Sequence, residues 1–190
     1  MINFVKRLFR LILSPLKIFI NTAITHWPDN NIGNKLRVLL WRYGLNNFGK
    51  NSKVCSGSKF FFGKKIHIGD NLSMSNNVTL DPGDSHGIYI GDHVSIADGT
   101  YFRSANHKFD STEKLIQEQG HECAEIDFLD RKYSIVVEDD VWLGARVIII
   151  SGSHIGKGSI VSAGAVISNI IPPYSIVVGN PGRVIKNRKK

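Results

Sequence analysis

Aliphatic residues recur at every sixth position over much of the chain, with small and polar residues between them. The longest uninterrupted series consists of Val137, Leu143, Ile149, Ile155, Val161 and Ile167. Two earlier series have the same spacing: Phe62, Ile68, Met74 and Leu80, and then Ile90, Ile96 and Phe102. A period of six fits neither an α-helix nor one long strand. It favours a coil of three short strands, about eighteen residues per turn, in which each strand directs one aliphatic side chain inward.

The six-residue series is interrupted twice before Val137. Ten residues separate Leu80 from Ile90, which indicates a four-residue insertion around the turn sequence DPGD. After Phe102 no residue continues the series until Val137, so residues 108–134 are predicted to form a long loop. Insertions at the corners of a coil leave the stacked strands undisturbed, and both segments are therefore expected to lie on the surface.

The pattern divides the chain into three segments. Pro172 and Pro173 cannot donate to a ladder of hydrogen bonds and are predicted to end the stack. Residues 45–173 are therefore predicted to form an all-β coil. Residues 1–44 are predicted to be a basic helical extension, and residues 174–190 a basic C-terminal segment.

The first twenty residues, MINFVKRLFRLILSPLKIFI, have helical spacing instead. An apolar stripe lies opposite a basic face, and Pro15 is expected to bend the helix. No apolar run approaches the roughly 20 residues that a membrane span requires. A second short helix is predicted over residues 35–43, closed by Gly44. Residues 1–25 either lie on an anionic membrane surface or pack on the protein's own body or a neighbouring subunit, and the sequence leaves both interpretations open.

The formal charge of +8 is concentrated at the two ends of the chain. Residues 1–50 carry eight Lys and Arg against one Asp, and residues 183–190 carry five bases and no acid. The segment between them has eleven bases and fifteen acids. No basic groove with interleaved aromatic residues is present, which argues against a nucleic-acid partner. Cys55 and Cys123 have neither metal-site nor disulfide-framework spacing, and they favour a reduced, cytosolic compartment.

The segments IGDHVSIADGT and VEDDVWLGARVIIISGSHIGKGSIVSAGAVISNIIPPYSIVVGNPGRVIKNR resemble the hexapeptide-repeat acyltransferases. The resemblance covers residues 45–188 and is greatest to the sugar O-acetyltransferase branch, which includes galactoside and maltose acetyltransferases and enzymes that modify capsule or O-antigen sugars. It implies a left-handed parallel β-helix that assembles as a homotrimer, with active sites between adjacent subunits. It also implies acetyl-CoA as the donor, a sugar or glycan acceptor, and chemistry that requires no metal.

Acetyl transfer to a hydroxyl needs a base, an oxyanion donor and aligned substrates. His107 is the candidate base, because histidine titrates near neutrality and His107 matches the family histidine that precedes a long loop. Asn77 resembles a family asparagine that holds the acceptor near that histidine. Asp81, Asp84 and His86, which lie near the four-residue insertion, are candidate contacts to acceptor hydroxyls. The loop 108–134 is expected to shape the acceptor pocket.

The resemblance also implies a binding site for the donor. Trp142 resembles a tryptophan near the reactive end of the CoA arm, and the turn Gly144–Ala145 resembles one whose backbone N–H meets the thioester carbonyl. Ala163 and Gly164 match a corner of small residues along which pantetheine passes close to the backbone. Arg183 is the candidate phosphate contact. The last three basic residues are expected to be solvated: Arg188, Lys189 and Lys190.

Three other functions remain open at this stage. The nearest is N-acetylation of an amino sugar on the same scaffold. A β-helical carbonic anhydrase would need three histidine ligands, but the histidines show no closely paired positions on facing coils. A non-catalytic β-helix would be expected to carry repeated polar ladders on its faces, which this sequence lacks.

Overall fold

The computed structural model describes residues 15–188, which contain two helices, twenty-two short strands and two single 3-10 turns. Helix α1 occupies residues 15–25 and α2 Asn31–Gly44, and the 3-10 turns are Gly63–Lys65 and Ile116–Glu118. The strands are β1 (Asn47–Phe48), β2 (Lys53–Val54), β3 (Lys59–Phe60), β4 (Ile66–Ile68), β5 (Ser73–Met74), β6 (Thr79–Asp81), β7 (Ile88–Ile90), β8 (Ser95–Ile96), β9 (Tyr101–Arg103), β10 (Asn106–His107), β11 (His121–Glu122), β12 (Ile126–Phe128), β13 (Arg131–Tyr133), β14 (Ile135–Val137), β15 (Trp142–Leu143), β16 (Ile148–Ile150), β17 (Ser153–Ile155), β18 (Ile160–Val161), β19 (Val166–Ile167), β20 (Ile170–Ile171), β21 (Ser175–Val178) and β22 (Arg183–Asn187).

Three parallel sheets form the faces of a β-helix. Sheet A has the order β1-β4-β7-β14-β17-β20, sheet B has β2-β5-β8-β15-β18-β21, and sheet C has β3-β6-β9-β16-β19. The chain visits A, B and C in turn, so that each coil stacks in register on the one before it. Ile68, Ile90, Val137 and Ile155 are direct neighbours along sheet A, and all four are buried. The coil predicted from the six-residue spacing is therefore confirmed.

The first predicted series is shifted in the structure. Phe62 does not point into the core: its side chain is 62% exposed, at a backbone φ of 46°. Phe60 packs against the core in its place. The turn Gly63–Lys65 lies between Phe60 and Ile68 and makes their spacing longer than six residues. Counting back six residues from Ile68 therefore selects Phe62 instead of Phe60.

The corner between sheets A and B, called the AB corner, repeats one local geometry in every coil. Its positive-φ residues are Asn51, Asn71, His93, Asp140, Gly158 and Tyr174. The residue before each one makes no ladder hydrogen bond through a backbone N–H, and before Tyr174 this residue is Pro173, which has no N–H. In three successive coils a carboxylate of the next coil accepts from the backbone N–H at this position: Lys50 N–H to Asp70 (2.7 Å), Asp70 N–H to Asp92 (2.6 Å) and Asp92 N–H to Asp139 (2.9 Å).

The prediction that Pro172 and Pro173 end the stack is wrong. Strand β21 follows them and pairs in parallel with β18, so that the β-helix extends past residue 173. Pro173 stands at the AB corner just before Tyr174, where the backbone N–H makes no ladder hydrogen bond. A proline at this position therefore removes no ladder hydrogen bond, whereas one within a strand would.

Strand β22 closes the C-terminal end by pairing antiparallel to β21. Arg188 follows β22 and donates to Asp140 Oδ2 (3.0 Å) and to the Gly158 carbonyl (2.9 Å). Arg188 is exposed, as expected of the last three basic residues, but it also makes these contacts to the body of the protein. Lys189 and Lys190 lie outside the described residues.

Helix α2 covers the N-terminal end of the β-helix core. The predicted helix over residues 35–43 is confirmed and begins earlier, at Asn31, because the Asn30 side chain accepts from Gly33 N–H (2.8 Å). Trp41 and Arg37 on this helix are buried. The Arg37 guanidinium donates to the Val54 carbonyl (2.7 Å) and to Asp29 Oδ1 (2.7 Å), and this pair ties the helix to the first coil.

The first fourteen residues, which hold most of the predicted amphipathic stripe, lie outside the described residues. Pro15, the predicted bend, is the first residue described. Within residues 15–188 no helix has the length and apolar character to cross a bilayer.

Asp29 should make the attachment of this end sensitive to acid. Partial burial raises its pKa, but hydrogen bonds from Asn76 and Ser56 and the Arg37 charge outweigh burial and lower the pKa of Asp29 below its ordinary value of 3.8. A lowered carboxyl pKa stabilises the fold above the unfolded-state pKa, and this contribution is lost as the pH falls through the folded-state pKa. We therefore expect Asp29→Asn to lower the unfolding midpoint at about pH 7 and to have a much smaller effect at about pH 3.

Urea denaturation at both pH values measures this effect. Asp84→Asn is the matched control, because the Asp84 side chain is 89% exposed and is bonded only to Lys65. An equal loss of stability at both pH values would show that the Asp29 charge contributes nothing.

Candidate active site

The long loop predicted from the sequence, here called the excursion, leaves the β-helix at the corner between sheets C and A. This corner is called the CA corner. The excursion begins after β9 and returns at β14, so it starts earlier than the predicted residues 108–134. It contains two antiparallel ladders, β10 with β11 and β12 with β13. The four-residue insertion and the Gly63–Lys65 turn leave from the same corner. All three irregularities of the coil therefore lie along one edge of the molecule.

His107 lies on β10 and is exposed, already inside the excursion. Its cross-strand partner is His121, and the centroids of the two imidazole rings are 4.6 Å apart. The sequence analysis did not select His121, because the register of an antiparallel ladder within a loop leaves no periodic signal. Within residues 15–188 no group of three or more His, Cys, Asp or Glu residues is arranged to hold a metal ion.

Buried hydroxyls hold the strand that carries His107. Ser104 donates its backbone N–H to the Asp81 carbonyl (3.2 Å) and its hydroxyl to the Pro82 carbonyl (3.1 Å). Its hydroxyl also lies 2.7 Å from that of Ser85. The insertion of the second coil therefore forms the base on which the start of the excursion rests.

The three candidate acceptor contacts lie at this same corner, but each one already has a protein partner. Asp81 accepts from Arg103 (2.6 Å), and Asp84 is 3.3 Å from the Lys65 ammonium. His86 Nε2 lies 3.1 Å from Glu125 Oε1. Hydrogen bonding from Lys132 lowers the pKa of Glu125, so that a carboxylate faces His86. The contact between His86 and Glu125 ties the insertion to the excursion.

An aromatic cluster attaches the β12–β13 hairpin to the outer face of sheet A. Tyr89 lies at its centre, stacked on His67 (ring centroids 4.9 Å apart) and in contact with Phe128 (4.9 Å) and Tyr133 (5.4 Å). Phe128 also meets His154 edge-on (5.5 Å). Burial lowers the pKa of His67 and raises that of Tyr89, which keeps both groups neutral near pH 7.

The candidate donor residues lie along a different edge, the corner between sheets B and C, called the BC corner. Trp142 points outward from sheet B, is 53% exposed, and borders a small cavity of about 140 Å³. Gly144 is fixed by its neighbours, since a Cβ there would lie 2.5 Å from Ala163 N. Its N–H donates to the Val161 carbonyl (2.8 Å) and is therefore engaged within the fold.

Two backbone amides of the BC corner point away from the ladder. Among the described residues, neither Ala145 N–H nor Ala163 N–H has an acceptor. They occupy equivalent positions in adjacent coils, whose strands are about 4.8 Å apart. Gly164, at φ 72°, has open space where a Cβ would be. Arg183 is exposed at the same end of sheet B, opposite Val178 in the β21–β22 ladder.

Asn77 also lies on the BC corner, away from His107. It has a φ of 58°, and its N–H donates to the Ser56 carbonyl (3.0 Å) in the corner ladder. Sheet C separates this corner from the CA corner. The structure therefore brings Asn77, Ala145 and Gly164 to one edge and His107 with Asp81, Asp84 and His86 to another, and it does not unite them within one chain.

Comparison with known proteins identifies the family. The family described as bacterial transferase hexapeptide (six repeats) matches residues 134–169. A solved hexapeptide-repeat-containing acetyltransferase from Vibrio cholerae aligns over 97% of this chain and 93% of its own, at 30% identity and a TM-score of 0.70. The chain belongs to the hexapeptide-repeat acetyltransferases.

Other members of the hexapeptide-repeat acetyltransferases extend the comparison. A maltose O-acetyltransferase from Clostridium difficile covers 95% of this chain and 89% of its own, at 26% identity and a TM-score of 0.73. The galactoside O-acetyltransferase of Escherichia coli is 30% identical over 73% of this chain and 62% of its own. A Vibrio cholerae acetyltransferase structure in complex with acetyl coenzyme A covers 88% of this chain and 82% of its own, at 26% identity and a TM-score of 0.58. The matches span 37% to 62% of the length of four curated acetyltransferases.

The aromatic cluster predicts how the excursion is held. Phe128→Ser should detach the β12–β13 hairpin from sheet A, because it removes the ring that contacts Tyr89 and His154; aromatic contacts of this kind contribute about 1 kcal/mol beyond area burial. Leu129→Ser, at the exposed neighbouring residue, should leave the hairpin in place. Amide hydrogen exchange across residues 121–134 reports the difference. Equal protection in the two variants would contradict this role for Phe128.

Proposed function

We propose that the protein transfers the acetyl group of acetyl-CoA to a sugar hydroxyl of a surface glycan, such as a capsule, an exopolysaccharide or a lipopolysaccharide O-antigen. One observation carries the proposal. The exposed His107 ends a strand at the CA corner, and the backbone amides of Ala145 and Ala163 at the BC corner have no acceptor among the described residues. The kinship with galactoside and maltose O-acetyltransferases supports a sugar acceptor. The position of His107 beside a large excursion is compatible with a bulky acceptor.

His107 acts as the general base in this proposal. Its neutral imidazole takes the proton of the acceptor hydroxyl as the oxygen attacks the thioester carbonyl. The C–S bond then breaks, and the CoA thiolate receives the proton from the imidazolium. The acetyl group ends as an ester on the sugar, and free CoA leaves.

The amide of Ala145 is the proposed donor to the oxyanion of the tetrahedral intermediate. A backbone N–H held in a corner needs no reorganisation when charge develops on the oxygen. Its position one coil from the Ala163 amide gives two donors that follow the direction of an extended pantetheine arm. Trp142 then packs near the reactive end, and Arg183 contacts phosphate oxygens of CoA. The acetyl coenzyme A complex of the Vibrio cholerae relative supports this choice of donor.

In a homotrimer, the CA corner of one subunit can lie against the BC corner of another, which brings together the two edges that a single chain keeps apart. Sheet C, which lies between the BC and CA corners, carries a row of outward side chains formed by Tyr101, Ile148 and Val166. Tyr101 and Ile148 are exposed in the isolated chain. If sheet C faces a threefold axis, the CA corner of one subunit meets the BC corner of the next, and Asn77 approaches the partner's acceptor site.

The cytoplasm is the compartment that fits this chemistry. Both cysteines are free thiols, as in a reducing compartment.

His107→Ala should reduce the rate of acetyl transfer by about 10²–10⁴-fold, the range expected for loss of a general base, with little change in acetyl-CoA binding. His26→Ala, at another exposed histidine, is the matched control and should retain activity. Steady-state kinetics with a soluble oligosaccharide acceptor measures the rate, and calorimetry measures donor binding. Near-wild-type turnover by His107→Ala would refute the assignment of the base. Mild alkaline treatment of the product separates ester from amide, and survival of the acetyl group would instead indicate N-acetylation.

A further inference from the structure

Helix α1 exposes apolar side chains around its circumference. Residues 15–20 are all exposed, including Leu16, Ile18, Phe19 (71%) and Ile20. Leu16, Phe19 and Ile20 have the i, i+3, i+4 spacing of one helix face, and Lys17 lies beside them. Residues 15–20 of α1 therefore do not pack on the body of their own chain, which was one of the alternatives that the sequence left open for residues 1–25.

The end of α1 is nevertheless fixed to the β-helix. Gly57 N–H donates to the Thr25 carbonyl (2.9 Å), and the buried Arg37 donates to the Trp27 carbonyl (2.5 Å). The helix therefore extends from the N-terminal end of the β-helix as an attached element. Helix α2 at the same end adds a second exposed apolar face, with Ile32, Leu39 and Tyr43 (80%) along it.

Charge is strongly divided between this end and the rest of the molecule. Before Asp70 the chain has twelve Lys and Arg and a single acid, Asp29, which pairs with Arg37. The exposed bases at this end include Lys17, Lys35, Arg42, Lys50, Lys53, Lys59 and Lys64. All the other acids follow from residue 70 onward. The surface that carries the exposed apolar helices is therefore basic.

We propose that the N-terminal end of the protein, formed by α1 and the outer face of α2, binds the surface of an anionic lipid bilayer. Apolar side chains enter the headgroup boundary while neighbouring lysines and arginines meet lipid phosphates, each base contributing about 1 kcal/mol. Charge complementarity favours lipid over a second copy of the same surface, because two such ends would bring like charges together. The inference rests on the exposed helices and their charge, and it is independent of the acetyl-transfer chemistry.

Vesicle flotation of the full chain tests the proposal. The protein should float with vesicles of phosphatidylcholine containing about 30% phosphatidylglycerol, much less with phosphatidylcholine alone, and less again in high salt. The double variant Phe19→Ser/Ile20→Ser should partition at least about tenfold more weakly, because two apolar side chains no longer enter the interface. These side chains are exposed, so the substitutions should leave the fold intact.

The matched control is Ile170→Ser/Ile185→Ser, which removes two similarly exposed apolar side chains (71% and 58%) from other faces. It should float like the wild type. Failure of the wild type to float with anionic vesicles, or equal flotation of the two double variants, would overturn the proposal. A lower oligomer mass for Phe19→Ser/Ile20→Ser by light scattering, without any vesicle binding by the wild type, would assign the surface to a subunit contact instead.

Discussion

Registered hydrogen bonding between successive coils is the constraint on which the rest of the structure depends. Each strand of a sheet pairs in parallel with its counterpart in the next coil, and inward-facing apolar side chains fill the centre. A positive-φ residue recurs at each AB and BC corner, and in the second to fifth coils its N–H donates to a carbonyl of the preceding coil. Neither of those corners carries an inserted segment in the described coils. The insertions all leave at the CA corner, where the chain can lengthen before it re-enters sheet A.

This division of the corners decides where chemistry can occur. The CA corner carries the excursion and His107, held by Ser104 and by the second-coil insertion beneath it. The BC corner carries no inserted segment, and the backbone amides of Ala145 and Ala163 there have no acceptor among the described residues. A rigid stack keeps these edges apart across sheet C, so the base and the oxyanion donor of one chain cannot serve the same substrate. The proposed active site is therefore assembled from two copies of the chain.

The sequence predicted the β-helix because the coil repeats one local environment, and burial of residues such as Leu143 and Ile149 follows the six-residue spacing directly. The prediction from sequence was wrong at positions whose structure the six-residue spacing does not determine. The short turn Gly63–Lys65 shifts the spacing, so that Phe60 and not the predicted Phe62 packs against the core. Pro173 does not end the stack, because the residue at its corner position makes no ladder hydrogen bond through its N–H. The ladders inside the excursion, and with them His121, depend on long-range register that a single sequence does not display. The separation of the candidate site residues onto two edges follows only from the coil topology.

The central claim is that each active site combines His107 of one subunit with the Ala145 corner of another. Two variants, each defective alone, test it: His107→Ala, and Ala145→Pro, which removes the amide N–H. Ala145 directly precedes the positive-φ residue Arg146 at the BC corner, as Pro173 precedes Tyr174 at the AB corner. The two chains are coexpressed with different tags, and the mixed oligomers are purified through both. If the site is shared, each mixed trimer has one site with both wild-type halves and recovers about a third of the wild-type activity. If mixed oligomers are as inactive as the separate variants, each chain forms its own site and the account is wrong.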